Sequence, residues 1–325
     1  MDQFLLDTEF NGAVLVAKNG KVVFKKAYGF GDIDQKVKLI PKSSFNLASV
    51  SKQFTATGIM ILFEKNKLKL DDPVAKYLPQ FSYVKEITIR HLLNHTSGLP
   101  DIYGILESQW DKSKIAGNEV LLNVFANQKP KLLFKPGEKM RYSNTGYITL
   151  ASIIEKVSGH PFFEFMEKNI FKPLKMNDTY AYYKTMKEYP RSERVWGLKR
   201  QDGKTVLNDL IYCDGMIGDG NVHSSIEDLF KWDQALYAEK LLKKKTLKMM
   251  FTPGRLNNGE SFAYGFGWGV TDSGKKVHHG GGWVGFRSFI MRYLDKKDTI
   301  IVLINCVSPK KGKTGEKIKS LYHMQ

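Results

Sequence analysis

Residues 46–53 read NLASVSKQ and place two serines and a lysine within four consecutive positions. Ser49 and Lys52 fit the pattern S-x-x-K, and at the start of a helix residues three apart share one face. The Lys52 amine would then lie beside the Ser49 hydroxyl, as in a nucleophile with its activator. The structural alternative is a Ser49 hydroxyl that caps the helix while Lys52 is solvated. Ser51, next to Lys52 in sequence, points elsewhere.

The pattern alone is weak evidence, because a lysine-rich chain matches it by accident. Three other pairs also fit it: Ser82 with Lys85, Ser273 with Lys276 and Ser308 with Lys311. Only Ser49 opens a long amphipathic helix, where backbone N–H groups and the helix dipole stabilise developing negative charge. The context therefore favours Ser49 as the candidate nucleophile.

A second candidate motif is Tyr142-Ser143-Asn144, in PGEKMRYSNTGYITLASIIEKVSG, just before a predicted helix. In an extended segment residues two apart point the same way, so the Tyr142 phenol and the Asn144 amide would face one cleft. A phenolate near ammonium groups can act as a general base, because the cations favour its charged form. Alternatively, Tyr142 packs on the core while Ser143 or Asn144 caps the helix.

A third candidate is His279-Gly280-Gly281, in KKVHHGGGWVGFRSF, where the glycines allow the backbone to approach a ligand closely. A glycine-rich turn between strands is the alternative. The competing triplet Lys313-Thr314-Gly315 falls in a polar segment after the last predicted strand. We interpret that triplet as part of a surface loop.

His91 and His95 are four residues apart, as zinc ligands on a helix can be. The glutamate of an HExxH motif is absent, and no third ligand is evident in the sequence. We therefore expect structural roles for both histidines, no metal site, and no organic cofactor.

Composition narrows the function classes. The chain has 325 residues, 42% hydrophobic content and a formal net charge of +17, so it can bury a large core. The positive charge would suit nucleic acid, teichoic acid or an acidic membrane as a partner. However, the lysines are scattered and no nucleic-acid-binding motif is present. We therefore expect a solvated basic surface and no nucleic acid partner.

The two cysteines are too few to make a disulfide framework. No apolar run is long enough to span a membrane, and the first residues lack a signal-peptide pattern, which favours a cytoplasmic protein or a leader outside this sequence.

The elements that must position these residues follow from the hydrophobic pattern. Apolar runs flank Asn19-Gly20, the strongest short hairpin signal, over residues 12–27, and further strand patterns fill the C-terminal third. Helical periodicity dominates between residues 51 and 241. The sequence predicts an α+β fold: an antiparallel sheet formed from both chain ends and flanked by helices, with an inserted mainly helical lobe. Residues 1–50 and 242–325 would form the sheet lobe and residues 51–241 the helical lobe of one catalytic unit.

Several segments together resemble one family in order along most of the chain: GAVLVAKNGKVVFKKAYGFGD, FNLASVSKQFTA, IRHLLNHTSGLPD, PGEKMRYSNTGY, GDGNVHSSIEDLFKW, YGFGWGV and HHGGGWVGF. The chain resembles the serine penicillin-recognising hydrolases, in the branch of class C β-lactamases, D-alanyl-D-alanine carboxypeptidases and related esterases. The resemblance implies a β-lactamase/transpeptidase-like fold and favours an exported or cell-envelope protein.

The resemblance also implies a role for each motif residue. Ser49 would be the acylated nucleophile, Lys52 its activating partner, Tyr142 the general base and later the general acid, and Asn144 the residue that orients the substrate and the lysine. His279 takes the position where class C β-lactamases usually carry the lysine of K-T-G. The oxyanion hole would be the backbone N–H groups of Ser49 and Gly282, and Gly280 and Gly281 would contact substrate.

We therefore expect a serine hydrolase that acts through an acyl-enzyme on a peptide, amide or ester, of carboxypeptidase, peptidase or esterase type. A class C-like β-lactamase is the alternative; His279 weakens it, because a mostly neutral histidine suits the β-lactam carboxylate less well than a fixed cation. An alternative from another class is a non-catalytic protein that binds envelope polymers or penicillin. The expected partners are a small-molecule or peptide substrate and the cell envelope. The sequence gives no oligomeric state.

Overall fold

A computed structural model of the chain describes residues 1–183 and 194–307. Its centre is a six-stranded sheet with the strand order β10-β11-β12-β13-β1-β2, in which every pair of neighbours is antiparallel. The described strands are β1 (Gly12–Lys18), β2 (Lys21–Tyr28), β3 (Phe45–Asn46), β4 (Tyr180–Ala181), β5 (Leu198–Gln201), β6 (Lys204–Leu207), β7 (Val222–Ser224), β8 (Gly254–Arg255), β9 (Ser261–Phe262), β10 (Gly269–Thr271), β11 (Lys276–Trp283), β12 (Phe286–Tyr293), β13 (Asp298–Ile304) and β14 (Cys306–Val307).

The two chain ends meet in this sheet. Strand β1 pairs with β13, with Val14 opposite Val302. The predicted hairpin at Asn19-Gly20 joins β1 to β2, and both turn residues have positive φ (51° and 72°), which the Asn-Gly pair tolerates. The prediction of an α+β fold with an antiparallel sheet built from both chain ends is confirmed.

Helices cover both faces of the sheet. The described α-helices are α1 (Asp2–Asp7), α2 (Lys52–Glu64), α3 (Ile89–Leu93), α4 (Ile102–Gln109), α5 (Asn118–Asn127), α6 (Asn144–Ser158), α7 (Phe162–Met166), α8 (Ile226–Ala235) and α9 (Lys244–Met250). On one face, Leu5 of α1 joins Val14, Val16, Ile300 and Val302 in a small apolar cluster. The opposite face carries the main hydrophobic core.

Helix α2 lies inside that core, and its first eleven residues are all buried. A helix that is buried on every side must be surrounded by protein, and one of the elements that α2 contacts is helix α6. The N-terminal ends of α2 and α6 carry the two motifs that contain Ser49 and Tyr142. Packing of these two helices therefore brings the motifs together.

Some local expectations differ from the structure. The C-terminal third contains the segment FAYGFGWGVT, residues 262–271, whose pattern predicts a strand. Its first residue belongs to β9 and its end, Gly269–Thr271, forms β10. The residues between these two strands are irregular, with Gly267 at a φ of 76° that a strand does not accommodate. The triplet Lys313-Thr314-Gly315 and the Ser308–Lys311 pair lie outside the described residues.

The division into a sheet lobe and a helical lobe stays a proposal. Helix α8, which the predicted boundaries assign to the helical lobe, contacts strands β1 and β13 of the sheet. Among the described residues, no helix is both long and apolar enough to cross a membrane.

Candidate active site

Ser49 lies in a 3₁₀ turn, Ala48–Ser51, that leads directly into helix α2. The turn is anchored from both sides, because Leu47 N donates to Val222 O (2.8 Å) and Val222 N donates to Ser51 Oγ (3.0 Å). Ser51 therefore points away from the cleft, as predicted. Ala48 has a φ of 45°, and a non-glycine residue in this region costs about 1–3 kcal/mol, a strain typical of functional sites.

Lys52 is completely buried, and its ammonium group makes three hydrogen bonds. Lys52 Nζ lies 3.2 Å from Ser49 Oγ, 2.9 Å from Asn144 Oδ1 and 2.8 Å from the backbone oxygen of Asp219. An ammonium has three donors, so all of them are used. The structural alternative, in which Ser49 is only a helix cap and Lys52 is solvated, does not hold, since Lys52 is inside the protein and directed at the serine.

Asn144 is the first residue of helix α6, and its position is set by one carboxylate. Asp101 Oδ2 accepts hydrogen bonds from Asn144 N (2.8 Å) and from Asn144 Nδ2 (3.1 Å). The amide oxygen is thereby turned toward Lys52. Ser143 precedes the helix but makes no capping hydrogen bond with its side chain, so the alternative in which this motif serves only to cap the helix does not hold.

Tyr142 is 40% exposed, and its ring centroid lies 4.9 Å from Lys52 Nζ. The same ring also packs on His95, with 4.2 Å between ring centroids. His95 is buried, and its Nδ1 accepts a hydrogen bond from Ser143 N (3.3 Å). Burial and the nearby Lys52 charge hold the pKa of His95 well below its usual value. His95 thus supports Tyr142 as a neutral ring.

His91 has a different position from His95. Its Nδ1 accepts a hydrogen bond from Thr88 N (3.2 Å) at the start of helix α3, where the Thr88 side chain accepts from His91 N in return. This reciprocal arrangement satisfies two backbone donors of the helix terminus. In residues 1–183 and 194–307, no cluster of three or more histidine, cysteine, aspartate or glutamate side chains could hold a metal ion.

His279 lies on strand β11 and is only 6% exposed. Its Nδ1 is 2.7 Å from the carbonyl oxygen of Gly280, and its Nε2 is 3.0 Å from the hydroxyl of Tyr264. A carbonyl can only accept, so Nδ1 carries the proton and Nε2 accepts from Tyr264. Burial first, and the Lys52 charge second, lower the pKa of His279 to about 3. The ring is therefore neutral at ordinary pH.

The glycines after His279 let strand β11 run close to the Ser49 turn. A Cβ atom on Gly281 would lie 2.4 Å from both the Leu47 carbonyl oxygen and Ser288 Oγ, and 3.0 Å from Ser49 N. No side chain fits there without moving the turn or the neighbouring strand. Gly282, one residue further, lines the cleft together with Ser49.

The residues enclose a small cleft of about 100 Å³ beside Ser49. Its lining consists of Ala48, Ser49, Tyr103, Asn144, Asp219, Gly220, Asn221, Gly282 and Trp283. Of the predicted residues, the structure brings together Ser49, Lys52, Tyr142, Asn144 and Gly282. His279 lies behind this group, 6.3 Å from Tyr142 between ring centroids, and is directed at Tyr264.

Several residues of this arrangement were not predicted from the sequence, among them Asp101, Tyr103, Asp219 and Tyr264. Asp101 and Tyr103 lie at the beginning of helix α4, and Asp101 Oδ1 accepts from Tyr103 N. Asp219 is 6% exposed, and its Oδ2 accepts a hydrogen bond from the Tyr103 hydroxyl (3.0 Å). Burial raises the pKa of Asp219 above its usual value. A carboxylate in the glycine-rich segment GDG was the signal available for Asp219.

Comparisons with known proteins identify the family of the chain. The family model described as Beta-lactamase matches residues 6–321. Penicillin-binding protein 4* of Bacillus subtilis is 41% identical over 309 residues, which cover 91% of this chain and 68% of that protein.

Two solved structures are similar in fold and sequence. A penicillin-binding protein from Bacillus halodurans has a TM-score of 0.84 and 25% identity, with 98% of each chain covered. The octameric penicillin-binding protein homologue from Pyrococcus abyssi has a TM-score of 0.76 and 27% identity, covering 94% of this chain and 71% of that one. The chain belongs to the beta-lactamase family of serine hydrolases.

Proposed function

We propose that this protein hydrolyses small esters and D-amino-acid amides or peptides through an acyl-enzyme on Ser49. The observation that carries the proposal is the convergence of Lys52 on Ser49 Oγ, at 3.2 Å, inside a cleft that also exposes Asn144 and Gly282. A buried cation beside a half-exposed hydroxyl has a functional explanation when the hydroxyl must become a nucleophile.

Tyr142 is the proposed proton acceptor. Lys52 donates all three of its protons to oxygen atoms, so it holds the Ser49 hydroxyl in place and leaves the base role to another group. The Tyr142 ring lies beside the same ammonium, and its exposure leaves the phenol accessible to substrate. The positive charge stabilises negative charge on the phenol as the proton leaves Ser49.

The proposed reaction has two stages. Ser49 Oγ forms a bond to the substrate carbonyl carbon while its proton passes to Tyr142, and the oxyanion is held by the backbone N–H groups of Ser49 and Gly282. The leaving alcohol or amine departs with the proton from Tyr142. Water then attacks the acyl-enzyme, Tyr142 takes the proton of that water, and the acid is released as Ser49 regains its proton.

A class C-like β-lactamase activity is the weaker candidate. The β-lactam carboxylate needs a cation, and His279 is neutral because burial lowers its pKa to about 3. We expect poor turnover of cephalosporins compared with small esters. Rapid cephalosporin hydrolysis, followed by absorbance, would reverse this ranking.

The alternative from another class is a non-catalytic protein that binds anionic envelope polymers. The net charge of +17 supports association with such polymers, and we propose it only as an addition to hydrolysis. Salt-sensitive polymer binding without turnover of any ester or amide in a broad panel would favour the non-catalytic alternative.

The test compares hydrolysis of small esters by the wild type and two serine variants. Ser49→Ala should lose at least about 1,000-fold in kcat/KM, because the nucleophile is removed. Ser51→Ala is the matched control, since the Ser51 hydroxyl bonds to Val222 N and points away from the cleft. Full activity of Ser49→Ala would contradict the proposal.

A further inference from the structure

The cleft beside Ser49 has an unusual charge distribution for a protein with a net charge of +17. Of the described residues that line it, Asp219 is the one with an acidic side chain, and none is a lysine, arginine or histidine. Arg287, beside Gly282, donates to the carbonyl oxygens of Val284 and Phe286. Two other basic side chains near the lining are not available to a ligand. Lys52 has used its three donors, and His279 is neutral with both ring nitrogens hydrogen-bonded.

Asp219 also has an unused acceptor. Its Oδ2 is bound by the Tyr103 hydroxyl, whereas its Oδ1 is buried and has no hydrogen-bond partner in the described structure. Buried carboxylate oxygens are normally satisfied, so an exception at a cleft points to a group that arrives from outside. The Tyr103 hydroxyl fixes the carboxylate, because burial and the nearby Asp219 hold the pKa of Tyr103 well above its usual value and keep it a donor.

An aromatic pair completes this side of the cleft. The rings of Tyr103 and Trp283 lie 5.4 Å apart between centroids and are inclined by 40°. The Trp283 indole is held by a hydrogen bond of 2.7 Å from its Nε1 to Asp214 Oδ1. Aromatic faces beside a carboxylate attract organic cations, since the ring quadrupole and the negative charge act together.

We propose that Asp219, Tyr103 and Trp283 form a subsite for an ammonium group on the acyl part of the substrate. This inference rests on the proposed hydrolase function and narrows its substrates to esters or amides of amino acids with a free amino group. The small size of the cleft, about 100 Å³, suits a short side chain such as that of alanine. An ammonium would supply the missing donor to Asp219 Oδ1.

The test uses two methyl esters of nearly equal size, D-alanine methyl ester and methyl (R)-lactate, which differ in an ammonium and a hydroxyl group. Methanol release gives kcat/KM for each. Asp219→Asn keeps the shape of the side chain and should lower kcat/KM for the alanine ester about 100-fold, while the lactate ester changes less than about 3-fold. Asp34→Asn, an exposed carboxylate change, is the control that should leave both rates unchanged.

A second variant keeps the test informative if Asp219→Asn folds poorly. Tyr103→Phe removes only the hydroxyl that holds Asp219. It should lower kcat/KM for the alanine ester about 10-fold relative to kcat/KM for the lactate ester. Equal losses for both esters in both variants would overturn the ammonium subsite, because they would show a general effect on Lys52, which also binds the Asp219 backbone.

The experiment separates the two proposals. If the wild type hydrolyses both esters and the variants do not change their ratio, the ammonium subsite is wrong and the hydrolase function stands. If the wild type hydrolyses neither ester and its rate equals that of Ser49→Ala, the proposed function fails, and the subsite fails with it.

Discussion

Lys52 and Arg292 are two cations that lie at 0% exposure in the same protein, but their surroundings differ. Arg292, on strand β12, is paired with the equally buried Asp233, with 2.5 Å between Nε and Oδ1. Within the part of the chain that the structure describes, the hydrogen-bond acceptors of Lys52 are uncharged: Ser49 Oγ, Asn144 Oδ1 and a backbone carbonyl. One buried basic side chain is paired with a carboxylate, and the other is hydrogen-bonded to a hydroxyl, an amide and a carbonyl.

The aromatic rings near the two basic side chains also differ in their exposure to solvent. The Arg292 guanidinium lies 4.5 Å from the Tyr237 ring centroid and 5.6 Å from that of Trp268, so it is enclosed by protein. The Tyr142 ring near Lys52 is 40% exposed and borders solvent. A buried ion pair enclosed by protein is typical of a structural role. A buried basic side chain without a carboxylate partner, next to an open cleft, is typical of a catalytic role.

The largest effect is expected from Lys52→Met, which removes the cation and keeps the volume. We expect kcat/KM for small esters to fall about 10³–10⁴-fold, because the proton transfer from Ser49 loses its support. The free energy of unfolding should be unchanged or higher, since a buried charge is replaced by an apolar side chain. Ester hydrolysis and urea denaturation measure the two quantities. A large loss of stability with activity retained would reverse our assignment.

Arg292→Met should show the opposite pattern. Removing the guanidinium leaves the Asp233 carboxylate buried without its cation, which costs about 3–5 kcal/mol of unfolding free energy. The specific activity of the folded fraction should stay close to that of the wild type. Urea denaturation and active-site titration of the soluble protein measure these two quantities. An activity loss as large as that of Lys52→Met would contradict the different roles assigned to Arg292 and Lys52.

The third prediction concerns pH, through the neutral histidine near Lys52. The folded pKa of His279 is lowered to about 3, whereas an unfolded histidine titrates near 6.5. Below pH 6.5 the unfolded chain binds more protons, so stability is lost as the pH falls toward 3, by about 1.4 kcal/mol per pH unit for this group. His279→Gln should reduce that slope between pH 6 and pH 4. Identical slopes in urea denaturation would contradict a neutral His279.

The smallest effect is expected from an exposed ion pair. Lys36 lies 3.3 Å from Asp34, and both side chains are mostly exposed. Such pairs contribute little because water screens the charges. Lys36→Ala should leave the melting temperature within about 1 °C of the wild type and the ester hydrolysis unchanged. A clear decrease in melting temperature would mean that burial does not explain the different effects of substituting Lys52, Arg292 and Lys36.

The local sequence pattern was enough to predict the hairpin and the S-x-x-K geometry, but not the burial of Lys52. The Asn19-Gly20 hairpin and the shared face of Ser49 and Lys52 follow from short-range geometry, so the sequence was sufficient for them. The burial of Lys52 could not be predicted in the same way, because it depends on helix α6 packing against α2. Lysine at a helix start is more often solvated.

The site residues that were not predicted from the sequence are held by contacts between segments far apart in the chain. Asp101 and Asn144 are 43 residues apart, and Tyr103 and Asp219 are 116 residues apart. The sequence gives no spacing rule for such pairs, so Asp101, Tyr103 and Asp219 were missed. His279 was predicted from its motif, but the burial that keeps its ring neutral and its hydrogen bond with Tyr264 required the tertiary structure.

The most direct test of the central claim is to map a fluorophosphonate adduct on the intact chain. Trypsin should release residues 43–52, which contain both Ser49 and Ser51, and fragmentation of that peptide assigns the modified serine. We predict the adduct on Ser49, its loss in Ser49→Ala and its retention in Ser51→Ala. An adduct on Ser51, or equal labelling of Ser49→Ala, would contradict the assignment of Ser49 as the nucleophile.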